Sequence, residues 1–409
     1  MAYTVTTKNS YGSRLSNSLR GVGFGFVLLI LGTVLIFWNE KRTAHRADML
    51  KQAQKECVEL GDIAILHPEM EGRLVHATGM ASTTEVLNDP QFGVEANAVK
   101  LIRRVQYYQW VENSTTTRKD KIGGSEEVTT TYDYDLQWVD DPVDSREFHD
   151  PSYRDANSIL VNIDDKRSTA SNVDFGAYKL SSKLVSQISG EVPLNLDLSE
   201  GTLASLKAML PPLLATDSLS HVTVLGNTVY FKGDAKTNSD DVGDVKVTFT
   251  QVPAGNVSIM ASVSGNTFTD FVAKKGSLQT LYEGTHSMED MIQSEKQGNK
   301  AIGWLLRLLG FLLLYLGFRN IFDILKTLLK VLPFLASIMG LGVSIVSFVL
   351  ALVWGLLVAG VGIIIYNPLV GGLVLGAAVV IFILASLSKK GKAAKAELLS
   401  DTPQKGPEQ

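Results

Sequence analysis

The chain is short of the residues that most chemistry and most covalent bracing require. It has a single cysteine, Cys57. An intramolecular disulfide is therefore impossible, and so is any cysteine-built zinc or iron–sulfur centre. Its six histidines, at 45, 67, 76, 149, 221 and 286, include no pair at helical metal-ligand spacing. There is no GxxxxGK[ST], HExxH, CxxC or GxSxG motif. His67 and His76 flank Glu69 and Glu71, but surface or hydrogen-bonding roles outweigh metal binding for such a scatter. No metal, cofactor-binding or catalytic residue is assigned, and no cofactor is implied.

Charge is missing from particular places rather than from the whole. Residues 21–38 contain none, and residues 301–318 contain only Arg307. Residues 335–366 and 368–387 are likewise uncharged. Runs of about 18 apolar residues can cross a hydrocarbon core about 30 Å thick. Four transmembrane helices are thus predicted, one N-terminal and three C-terminal. Residue 367 is the turn between the last two, because Pro368 disfavours helix just before it. Arg307, with no partner inside any predicted span, reads as a side chain reaching the headgroups or pairing in the bundle. That isolation argues against a transporter. Gly21/Gly25 and Gly372/Gly376 have the spacing that permits close helix approach.

What remains is a large acidic insertion. Residues 39–300 carry a net charge of −12, and the rest of the chain +8, within a total of −4. An acidic domain argues against nucleic acid. Arg319, Lys326 and Lys330, and the cluster 389–395, flank the C-terminal spans and are expected on the cytoplasmic side. With four spans, residues 1–20 form a disordered cytoplasmic tail, the insertion lies across the membrane, and residues 388–409 form a second cytoplasmic tail. Lys41, Arg42, Arg46 and Lys51 oppose this assignment but lead into a long domain, where the rule is weak.

The fold class read from the pattern is α+β, a β-rich domain inserted between the first and second spans. Residues 39–60 continue the first span as a helical stalk. Residues 98–112 alternate as a strand interrupted by Arg103, and 128–139 alternate again, with a polar loop at 113–127. This hairpin displays Tyr108, Trp110, Tyr132, Tyr134 and Trp138, which read as core or, failing that, as a candidate interaction surface. Residues 156–188 read as mixed short elements. Residues 198–210 form a helix capped by Ser199 and ended by Pro211-Pro212. Residues 221–231 form a strand pair, and 244–252 with 257–263 a second hairpin. Residues 319–334 form an amphipathic interfacial helix, with Arg307, Arg319, Lys326 and Lys330 as membrane-interface residues.

Several stretches together resemble the LUMA family of membrane proteins. They are Asn39-Glu40-Lys41-Arg42 after the first span, Glu71-Gly72-Arg73-Leu74-Val75-His76, and Asp89-Pro90-Gln91-Phe92-Gly93-Val94. Ala98-Val99-Lys100-Leu101-Ile102-Arg103-Arg104-Val105 and Tyr108-Gln109-Trp110-Val111-Glu112 follow, then Gly243-Asp244-Val245-Lys246-Val247-Thr248-Phe249 and Tyr366-Asn367-Pro368-Leu369. The resemblance covers most of the chain and thins across 155–230. It implies a multi-pass protein, in animals of the endoplasmic reticulum and inner nuclear membrane, which self-associates and organises other membrane proteins. It implies no catalytic residues. The expected function is a non-catalytic membrane scaffold whose partners are the lipid bilayer, its own copies and other membrane proteins. An envelope enzyme acting on lipid or peptide is the alternative, and a transporter the third reading. In a bacterium the domain would be periplasmic at the inner membrane, and in a eukaryote lumenal.

Overall fold

A computed structural model describes residues 2–237, 239–329 and 333–400. Among the described residues seven α-helices run in order: α1 Tyr11–Glu56, α2 Ser182–Gln187, α3 Glu200–Lys207, α4 Pro212–Ala215, α5 Met288–Leu329, α6 Pro333–Ile364 and α7 Pro368–Ser400. The chain forms two compact units. One holds residues 1–5, 49–117 and 129–294, and the other residues 6–48, 118–128 and 295–409.

Among the described residues, three helices are long and apolar enough to cross a membrane, at Tyr11–Glu56, Met288–Leu325 and Gly342–Ile364. The fourth predicted span is not clearly a crossing, its apolar part being Pro368–Leu384 among the described residues. Residues 319–329 do not form a separate interfacial helix. They continue α5, because no proline or glycine interrupts the pattern after Gly317. Lys330 lies outside the described residues.

In the first unit, alternation builds two large sheets, beside two two-stranded ones. The strand Lys100–Asp120 sits at the centre of one, between Glu126–Val139 and Val245–Val252, and the latter leads on to Thr228–Phe231 and Val222–Leu225. Val105, Tyr107, Val229, Phe231, Val247 and Phe249 fill its buried face. The first of these strands runs further than expected, to Asp120. The residues that extend it include Thr115–Thr117, polar but β-branched, and such residues suit extended backbone. The helix at 198–210 is present as α3, with Ser199 Oγ accepting from the Thr202 amide.

The second sheet closes on itself. Gly255–Ser264, Thr267–Thr269, Tyr178–Lys179, Asp174–Phe175 and Leu74–Ser82 pair in succession, and the last pairs back on the first. Phe175, Tyr178 and Phe268 pack inside it. Gly176, at φ 63°, turns beneath Ile63, whose carbonyl oxygen would lie 2.2 Å from any added Cβ. The expected hairpin of 244–252 with 257–263 is not formed. Its two strands belong to different sheets, and Pro253-Ala254 carries the chain from one to the other.

Arg103 does not merely interrupt a strand. It is buried, and Nη1 donates to both Asp89 oxygens at 3.1 and 2.9 Å and to Gln91 at 2.8 Å, with the Phe92 ring 5.1 Å from its guanidinium carbon. One arginine thus gathers Asp89, Gln91 and Phe92 and orders a turn that falls at residues 90–93, just after the expected 88–90, where Leu87–Asp89 is instead a short strand. A buried ion pair of this kind fixes an arrangement more than it adds net stability.

In the second unit, α1 and α5 pair antiparallel along a seam of small residues. A Cβ at Gly25 would fall 2.8 Å from the Gly317 carbonyl, and one at Gly32 2.9 Å from the Gly310 carbonyl. Asn39 Nδ2 donates to the Gly303 carbonyl at 3.0 Å. The positions advance by seven along α1 and retreat by seven along α5, the repeat of a left-handed supercoil. Of the glycines read from sequence, Gly25 is on this seam, whereas Gly21, Gly372 and Gly376 have nothing within reach of a Cβ. α6 and α7 form a tight antiparallel hairpin in which Gly360 meets Leu375 and Gly371 meets Ile364.

Residues 3–9, expected to be disordered, form a strand on Glu126–Val139, and Arg14 Nη2 lies 2.6 Å from Asp120 Oδ1. In a bilayer this pairing competes with insertion of α1. Residues 21–38 contain twelve Val, Leu, Ile and Phe, worth roughly 4–7 kcal/mol in a span. Keeping the pairing as well would draw a polar hairpin into hydrocarbon, at several kcal/mol for each unsatisfied group. Insertion therefore wins, and strand 3–9 is expected to part from 126–139. Thr7→Cys should then label from the side opposite to Asn113→Cys; labelling of both from one side would reverse this conclusion.

Candidate functional site

Two clusters concentrate chemistry. The first lies in the helical unit, where the charged residues that follow the first span meet α5. Arg307 Nε and Nη2 donate to the two Glu40 oxygens, each at 2.7 Å. The Glu40 side chain is 3% exposed and that of Arg307 26%. The bidentate geometry is the strong form of this interaction. Arg307 therefore has an acidic partner, contrary to the isolation read from sequence, because Glu40 stands two residues beyond the apolar run. Further along the two helices, Arg42 Nη2 donates to Asn299 at 3.2 Å, Asn299 Nδ2 to the Thr43 carbonyl at 3.0 Å, and Arg46 to Glu295 at 2.7 Å. Gly362 of α6 leaves room for Glu40, where a Cβ would sit 2.9 Å from the Glu40 Cβ. The His45 and Tyr366 rings meet edge-on at 5.6 Å. This bidentate pair ties α1 to α5. Arg319 is exposed, and Lys330 is not described.

The second cluster is the aromatic face, in the β-rich unit. Tyr108, Trp110, Tyr132, Tyr134 and Trp138 are all half-buried against their own chain. Residues 144–157 lie across it as a strap. Tyr134 stacks on Tyr153 at 4.1 Å, Trp110 meets Tyr153 edge-on at 4.8 Å, and Tyr132 stacks on His149 at 3.9 Å. Glu112 ties the strap down, accepting from Tyr134 Oη at 2.5 Å, from the His149 amide at 2.7 Å, and from the His149 ring at Nδ1, 2.9 Å away. Tyr108 and Trp138 pair separately at 5.2 Å, under Lys246. The face is thus two aromatic groups rather than one open surface. Burial, with the Glu112 bond, pushes the Tyr134 hydroxyl up to about 12.

Burial works to raise the Glu112 carboxyl, but the hydrogen bonds from Tyr134 and His149 outweigh it and hold it below its usual range. A depressed carboxyl stabilises the fold above its unfolded pKa, about 4.3, and that stability fades as pH falls through the folded value. Glu112→Gln is expected to cost about 1–2 kcal/mol at neutral pH, since charge-assisted bonds are worth about 1.5–3 kcal/mol and this group is partly open to water. Melting curves between pH 7 and pH 3 should show a smaller acid-dependent loss in the variant; parallel losses would remove Glu112 as the acid-sensitive tie.

Sequence reasoning passed over Glu40, Asn299, the seven-residue glycine repeat, and the bonding of Glu112 to His149. The glycines at 303, 310 and 317 were a readable signal. The Glu112–His149 contact, 37 residues apart, was not. His67 and His76 bond to Glu69 at 2.9 Å and Glu59 at 2.7 Å respectively. Among the described residues, no group of three or more metal-ligating side chains converges.

Residues 107–368 match the family model described as Transmembrane protein 43. The chain belongs to the Transmembrane protein 43 family. It is 30% identical to Transmembrane protein 43 of Rattus norvegicus over 305 residues, covering 72% of this chain and 71% of the rat protein. The Homo sapiens protein is 29% identical over the same shares. A Drosophila melanogaster homologue is 26% identical across 69% of this chain and 73% of its own length. No solved structure matches. The Transmembrane protein 43 assignment and the apolar helices make this a multi-pass integral membrane protein. The matched region takes in the aromatic hairpin, α5 and α6, and begins downstream of most of the motifs at 39–112.

Proposed function

We propose that this protein is a non-catalytic membrane scaffold that self-associates and organises other membrane proteins. The observation that carries this reading is the polar lock of Glu40 and Arg307 on the glycine seam of α1 and α5. A rigid helical pair of this kind suits a platform, whose task is to hold a shape, better than a carrier, which must move. The aromatic hairpin under its strap supports the same reading, since aromatic side chains dominate the energetics of protein–protein surfaces. In this reading α7 completes a fourth crossing, and both termini face the cytoplasm. Purification from the native host in mild detergent, with mass determination, is expected to give a defined homo-oligomer or a reproducible membrane-protein partner. A monomer with no retained protein would sink the proposal.

A further inference from the structure

We propose that the helical unit holds one phosphate-bearing membrane lipid, its acyl chain in a cleft between α1, α5 and α6 and its phosphate at Arg307 and Trp304. The cleft, about 240 Å³, is walled by Ile36, Phe311, Leu352, Gly355 and Ala359, with Arg307 and Trp304 at one end. Its walls are almost wholly apolar, so in a bilayer its natural filling is hydrocarbon. Phe311 lies about 6 Å along α5 from Arg307, at 1.5 Å rise per residue, so the cleft is as deep as part of one chain.

The polar end suits a phosphate. A guanidinium has five N–H donors, and the bonds to Glu40 are made through Nε and Nη2. Trp304 is 69% exposed, with Arg307 5.1 Å from its ring centre. An indole at that height sits where tryptophans favour the headgroup boundary and can donate its own N–H. The occupant is bound by hydrogen bonds more than by net charge, because Glu40 neutralises Arg307.

The test uses the full chain extracted in mild detergent, with bound lipid identified by native mass spectrometry. Gly355→Leu adds bulk at the cleft wall, where its Cβ would rest 3.5 Å from Leu314 and 3.7 Å from Ile36, ordinary contact distances. Trp304→Ala removes an exposed side chain at the mouth. The native chain is expected to retain one phospholipid. Each variant should lose it by about tenfold, the equivalent of about 1.4 kcal/mol, and after delipidation Trp304→Ala should melt like the delipidated native chain. A native chain without lipid, equal retention by the variants, or a retained sterol or fatty acid lacking phosphate would each overturn the proposal. Because lipid retention is read on each particle, the result stands whether the protein proves oligomeric or monomeric.

Discussion

Arg307→Ala should be the most damaging single substitution in the helical unit, lowering stability by about 3–5 kcal/mol, the range for breaking one side of a buried ion pair. The cause is Glu40 rather than Arg307. With the arginine gone, a carboxylate only 3% exposed is left without its bidentate partner at the edge of the hydrocarbon. The expected readout is a sharp fall in the fraction of protein that elutes folded after heating in detergent. Adding Glu40→Gln should restore most of the loss, because a neutral amide is far cheaper to bury alone. If the single variant melts like the native chain, the pair contributes little and the lock is dismissed.

Gly317→Leu should be nearly as severe, at about 3 kcal/mol, the upper part of the usual range for over-packing. Its Cβ would lie 2.9 Å from the Gly25 carbonyl oxygen, and backbone cannot rotate away as a side chain can. Gly21→Leu is the matched control, since nothing lies within 4 Å of a Cβ there. The contrast between two glycines in similar apolar surroundings separates a packing cause from a general effect of added bulk. Equal behaviour of the two variants in thermal melts would refute the seam.

How much could be read in advance follows from the range of each interaction. The spans at 21–38 and 301–318 were legible because hydrocarbon demands long uninterrupted runs, a property of neighbours in sequence. The strand faces around Val105 and Trp138 and the cap at Ser199 were legible for the same local reason. Which strand pairs with which was not. Residues 244–252 and 257–263 have every local mark of a hairpin, with Pro253 and Gly255 between them, yet the burial demands of two separate cores pull them apart. Arg103 was visible as an oddity, but its acceptor Asp89 belonged to a stretch read as a turn. Arg307 was judged alone because its partner lies 267 residues earlier, and nothing in periodicity spans such a gap. Alternation placed the five aromatic residues on one hairpin, but the strap that divides them into two groups comes from a segment whose spacing carries no signal.

That same separation sets a timetable for synthesis. Glu40 leaves the ribosome 267 residues before Arg307, an interval of roughly 15–50 s at about 5–20 residues per second. For that time α1 sits in the membrane with an unmatched acid at its rim, and the whole β-rich domain must be made before the matching cation arrives. The nascent chain can bear this by leaving Glu40 among the headgroups until its partner arrives. The last step of assembly is then a charge-driven drawing together of the first helix and one made much later, which gives the newborn protein a long interval in which its membrane half is incomplete although its first helix is already in place.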